Sequence, residues 1–131
     1  MKKFLIKIFI LFLFTSKLFA QSQSEMNHTA KINYQKDDST LNVVYTKILK
    51  EYSADTTFIK NLIASQKIWI KFRDAELKMK YPANHSYGSV QPMCVSNYLS
   101  QLTTDRIKTL QVWLDGIEEG DVCAGSVKRK N

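Results

Sequence analysis

The stretch WIKFRDAE, Trp69 to Glu76, sets two large aromatics, an arginine and two carboxylates on about two turns of helix. Apolar residues continue at helical spacing on both sides: Phe58, Ile59, Leu62 and Ile63 before it, Leu77 after it. With Ile70 and Phe72 they predict one long helix, opened by the turn Ser53-Ala-Asp55-Thr-Thr with its several candidate N-caps and closed by Lys78, Lys80 and Pro82. Within it, Trp69 and Phe72 are expected in the core, Arg73 as a buried tie, and Asp74 and Glu76 at the rim.

Working outward, a first helix is expected from near Ser22, where Ser22-x-x-Glu25 has the form of a capping box, to about Tyr52, with Tyr34, Leu41, Tyr45, Ile48 and Tyr52 facing inward. A third is expected from near Pro92, carrying Val95, Leu99, Leu102, Leu110, Trp113, Leu114 and Ile117 and stopped by Gly116 and Gly120. Glycine is absent before Gly88, and both prolines, Pro82 and Pro92, bracket the single turn-rich stretch YPANHSYGSVQP. Few loops and long periodic segments predict an all-α fold, an antiparallel bundle of three long helices running up, down, up, with room for short extra helical segments.

The first twenty residues read as a Sec-type signal peptide. Lys2 and Lys3 precede the apolar run Phe4 to Phe14, broken only by Lys7, and Leu18-Phe19-Ala20 ends on a small residue before the polar QSQSE. The run is short of the roughly 20 residues of a bilayer span. No cysteine follows it to carry a lipid, so no membrane anchor is expected after cleavage. The organisation is then a signal peptide over 1–20, one helical domain over 21–127 and a basic tail over 128–131.

The whole chain carries 19 basic and 12 acidic residues, a net charge of +7. Four of the lysines lie in the signal segment, and Lys128, Arg129 and Lys130 sit in the tail. The body between is net neutral, which argues against nucleic acid as a partner.

Charged and polar residues occur where the stripes call for apolar ones. Arg106 falls between Leu102 and Leu110, Gln66 and Arg73 lie on the inner face of the second helix, and Asp38 lies beside the stripe of the first. A buried arginine without acceptors costs several kcal/mol or more, so partners at the same height are required. With a rise of about 1.5 Å per residue, Asp38 and Arg73 come within side-chain reach, and Arg106 lies level with Gln66 and Asn42. A structural polar network of Asp38, Asn42, Gln66, Arg73 and Arg106 is expected, with Gln66, Asn42 or Asp38 as acceptors for Arg106.

Asp38-x-x-Leu41-Asn42-x-x-Tyr45, Gln66-x-x-Trp69-Ile70-x-Phe72-Arg73-Asp74-Ala75-Glu76, Gly88-Ser89 and Leu102-Thr103-x-x-Arg106 resemble the LprI family of secreted bacterial proteins over residues 26 to 115. The resemblance implies an all-helical fold and, from the founding member, inhibition of lysozyme. Members of that family commonly have cysteines where this chain has Thr29, Leu77 and Tyr98. Cys94 and Cys123 remain, and an export compartment favours a disulfide. An unbroken third helix sets them about 30 Å apart, which disfavours an intrachain bridge and leaves free thiols or an interchain bond.

Catalysis has little support. The only histidines, His28 and His85, lie far apart in sequence, no repeated ligand spacing suggests a metal, and no cysteine has a helical histidine beside it. No catalytic residue, metal or cofactor is expected. Asn27-His-Thr29 and Asn84-His-Ser86 are glycosylation sequons in form only, without meaning in a bacterial protein. Two function classes remain: an inhibitor that binds a lysozyme through Asn84, His85, Ser86, Tyr87 and Ser89 of the proline loop, and a non-inhibitory helical module that binds another envelope protein.

Overall fold

A computed structural model describes the backbone of residues 2–83 and 86–130, with side chains from residue 22 onward. Three helices account for most of the chain: α1 over Lys2–Glu51, α2 over Thr56–Lys80 and α3 over Gln91–Asp115. No β-strand occurs among the described residues; a single isolated bridge joins Ile117 to Arg129.

The local chemistry explains most helix ends. The Asp55 carboxylate accepts the Phe58 N–H at 2.9 Å, capping α2. Pro92 occupies the first turn of α3, where its missing N–H costs nothing. Gly116 closes α3 at φ +76°. A Cβ there would meet the Lys128 carbonyl oxygen at 2.9 Å, so glycine is required both by the backbone and by the returning chain. The start of α1 differs from expectation. Ser22 and Glu25 lie inside a continuous helix and cap nothing, because no proline or glycine interrupts residues 2–51. The side chains of the expected signal segment lie outside the described residues.

Pairings along the bundle fix its topology. Asn27 meets Met93, Asp37 meets Ser100 and Tyr52 meets the Trp113 carbonyl, so α1 and α3 rise in parallel. Gln66 meets Arg106 and Glu76 meets Tyr98, so α2 descends antiparallel to them. The core contains Leu41, Val44, Ile48, Leu62 and Leu110, with Phe58, Trp69 and Trp113 packed against it.

The three helices are not equally close. Between α1 and α3 lie small or compact side chains, including Ala30, Val44 and the fully buried Thr103, and their backbones approach along much of their length. The inward face of α2 carries Phe58, Gln66, Trp69 and Arg73, whose bulk holds its backbone further off. This displacement explains a correction at Phe72. It is 51% exposed rather than in the core, and Ile63 and Ile70 also reach solvent. The buried edge of α2 centres on Leu62, Gln66, Trp69 and Arg73, and Phe72 lies roughly a quarter turn or more from it.

Beyond α3 the chain folds back. Ile117 N–H donates to Lys128 O at 3.0 Å, and Lys130 N–H to Ile117 O at 2.9 Å. Lys128 pairs with Glu51 and Lys130 with Glu118.

Candidate functional site

The connection from Tyr81 to Val90 projects from one end of the bundle. Of the five residues proposed for partner contact, Asn84 and His85 lie outside the described residues. Ser86, Tyr87 and Ser89 are exposed. Gly88 turns the chain at φ +73°, a conformation costly for other residues.

The far half of this loop is anchored by a residue from α1. Asn27 donates through Nδ2 to the Ser89 carbonyl at 2.9 Å, and its Oδ1 accepts the Met93 N–H at 3.2 Å. Gln23 Nε2 donates to the same oxygen at 3.0 Å. One amide therefore ties the loop and the first turn of α3 to α1, satisfying a backbone donor that a helix start otherwise leaves open. Tyr87 N–H donates to Gln91 Oε1 at 3.3 Å, and the Tyr87 ring stands edge-on to Tyr81 with centroids 5.6 Å apart. The segment next to α3 is thus held while Tyr87 keeps 42% of its surface exposed. Sequence reasoning met Asn27 only as a sequon; its role comes from a contact across 62 residues, for which the local sequence carries no signal.

Along the bundle lies the polar layer. Arg73 has a side chain only 16% exposed; its NH1 lies 3.7 Å from Asp38, but its shortest bonds, 3.0 Å from Nε and 2.8 Å from NH2, go to Asp74 beside it. Arg106 donates through Nε to Gln66 Oε1 at 3.0 Å and through NH2 to Ser65 Oγ at 3.1 Å. Trp69 lies between the two arginines, with their guanidinium carbons 5.5 Å and 5.9 Å from its ring centre. Burial pushes the Arg106 pKa below its ordinary value. Asn42 is exposed and borders a surface groove with Asp38. The second acceptor for Arg106 is Ser65, which the inward stripe did not include because it lies just before Gln66, about 100° around α2 and at the edge of its inner face.

Glu76 accepts a hydrogen bond from the Tyr98 hydroxyl at 2.9 Å, and this bond, with burial, raises the Tyr98 pKa. Tyr98 is itself one of the positions where the resembled family is expected to carry a cysteine, and Glu76 adjoins another, Leu77. Here a tyrosine–carboxylate bond links α2 to α3. Among the described residues no group of three histidines, cysteines or carboxylates could hold a metal ion.

A family model described as lysozyme inhibitor LprI matches residues 16–110, well over half of the chain. The chain belongs to the LprI lysozyme-inhibitor family. The match takes in α1 from residue 16, the whole of α2, the loop and most of α3, so LprI membership covers both the polar layer and the anchored loop. No curated protein and no solved structure matches the chain. Among residues with described side chains, no helix is long and apolar enough to cross a membrane.

Proposed function

We propose that the protein is exported, loses residues 1–20, and acts as a non-enzymatic inhibitor that binds a lysozyme and blocks its cleft. Membership of a lysozyme-inhibitor family over residues 16–110 carries this reading. The contact is assigned to Asn84, His85, Ser86, Tyr87 and Ser89. Such a cleft works with two carboxylates, one of them protonated as general acid. Hydroxyls and amides can hydrogen-bond to that pair, and an exposed tyrosine can stack in a sugar subsite. The Asn27 anchor supports the part of the assignment next to α3, Tyr87 and Ser89, since a segment ordered before binding loses less entropy when it binds.

The test is inhibition of chicken-type, goose-type and invertebrate-type lysozymes by the mature protein. Tyr87→Ala should weaken inhibition at least tenfold without changing the melting temperature. Asn27→Ala, which touches no partner, should weaken it less by loosening the loop. Activity untouched by both substitutions would move the contact elsewhere on the molecule.

A second reading, a non-inhibitory helical module of the cell envelope, is favoured by one observation. Ile68, Phe72 and Met79 stand 67%, 51% and 69% exposed in a stripe along the outer side of α2 that ends in its last turn, just before the loop. Absence of inhibition for every lysozyme class at micromolar concentration would select this reading.

A further inference from the structure

Between α2 and α3, toward the end of the bundle opposite the loop, lies a groove of about 410 Å3. Its floor is Leu62 and Leu110, each buried, and its walls are Phe58 and Trp113. Arg106 stands at one end, and Ser126 of the returning chain borders it near Trp113, whose Nε1 donates to Ser126 Oγ at 3.1 Å. The volume and the largely apolar surface, rimmed by polar side chains, are those of small-molecule sites.

The state of Arg106 gives the groove its chemistry. Its hydrogen-bond partners, Gln66 and Ser65, are both neutral, and among the described residues no carboxylate forms an ion pair with it. Arg73 differs in having Asp38 and Asp74. A guanidinium has five N–H donors, so the two bonds leave others without a protein acceptor among the described residues, turned to a groove open to solvent. The one carboxylate on the groove wall, Asp55, caps α2 some ten residues away, about 15 Å along the helix. The groove is therefore cationic at Arg106 and apolar on its floor and walls, while Thr57, Asn61, Ser65 and Ser126 form an exposed polar rim.

We propose that this groove binds an amphipathic monocarboxylate, its carboxylate on Arg106 and its apolar tail along Leu62 and Leu110 toward Trp113. The bond is charge-assisted and can be bidentate, which a planar carboxylate matches well. From Arg106 to Trp113 is seven residues of α3, about 10 Å, which suits a medium-length chain or an aryl acid. A neutral apolar molecule would cover the arginine without answering its N–H groups. A dianion such as phosphate would find one cation and apolar walls. The inference is independent of lysozyme binding, because the groove shares no residue with the loop.

The mature protein is titrated with octanoate, octanol and octylamine, following tryptophan fluorescence, since Trp113 lines the groove and Trp69 lies against Arg106. Octanoate should bind saturably, octanol at least tenfold more weakly, and octylamine more weakly still. Asn61→Phe, a substitution on the exposed rim that leaves Arg106 and its partners in place, should abolish the octanoate response while circular dichroism stays unchanged. Arg106→Lys should keep part of the preference for octanoate over octanol, and Arg106→Gln should lose it. Equal binding of octanoate and octanol, no saturable response to octanoate, or an Asn61→Phe protein that still binds it would each overturn the proposal. The three-ligand comparison and Asn61→Phe decide the matter even if an Arg106 variant fails to fold.

Discussion

At Arg73 and Arg106 the same residue type is stabilised in two ways. Arg73 has carboxylates on two sides, one 2.8 Å away and exposed, the other 3.7 Å away across the helix interface. Arg106 relies on neutral oxygens and on Trp69. Neither is fully desolvated, so the 3–5 kcal/mol typical of breaking a fully buried pair is too large here. Arg73→Ala and Arg106→Ala should each cost about 1–3 kcal/mol in urea denaturation, from lost hydrogen bonds and lost packing of the side-chain stem on Trp69. Asp38→Ala should cost under about 1 kcal/mol, because its contact is long and its side chain 42% exposed. Arginine variants that unfold like the parent but lose binding would make the layer a functional site and remove its structural role.

At the scale of the element, α2 carries two apolar faces. The inner one, with Leu62 and Trp69, joins the core; the outer one, with Ile68, Phe72 and Met79, is covered by nothing among the described residues. Helical spacing alone predicts an apolar face, but when apolar residues surround a helix it does not select the buried one. That choice came from Gln66 and Arg73, whose partners lie on α3 and α1. The expected contrast is large. Ile48→Ala, at 0% exposure, should lose about 2–5 kcal/mol. Phe72→Ser should stay within about 0.5 kcal/mol of the parent, as for other surface substitutions, and a loss as large as that of Ile48→Ala would return Phe72 to the core.

For the whole molecule, the two cysteines report the long axis. Cys94 lies in the first turn of α3, while Cys123 lies in the segment that folds back beyond Gly116 toward Tyr52 and Trp113. From Cys94 to the end of α3 is 21 residues, roughly 32 Å. Both are free thiols, Cys94 half-buried and Cys123 exposed. The unfolded protein should therefore titrate two thiols. Mild oxidation of the folded protein should give a disulfide-linked dimer on non-reducing electrophoresis, absent in Cys123→Ser and retained in Cys94→Ser. A monomer without titratable thiols would require the tail to reach the opposite end of the bundle.

The sequence by itself determined the number of helices in the body, a start of α2 within the turn Ser53 to Thr57, a start of α3 near Pro92 and its stop at the glycines that follow; the structure selects Asp55 as the cap and Gly116 as the stop, leaving Ile117 outside the helix. Each of these depends on groups within about one turn of one another, where backbone donors meet a side chain or a proline removes one. The heights of Asp38, Arg73, Gln66 and Arg106 were also legible, because rise per residue is constant and the connections are short. Only the tertiary structure decided that Phe72 faces water, that Ser65 rather than Asn42 completes the shell of Arg106, and that Asn27 holds the loop. It alone brought Ser126 beside Trp113 and Lys128 beside Tyr52. These depend on the rotation of each helix about its own axis and on contacts between residues dozens of positions apart, which no local pattern encodes because the bulk of the side chains between two helices sets both.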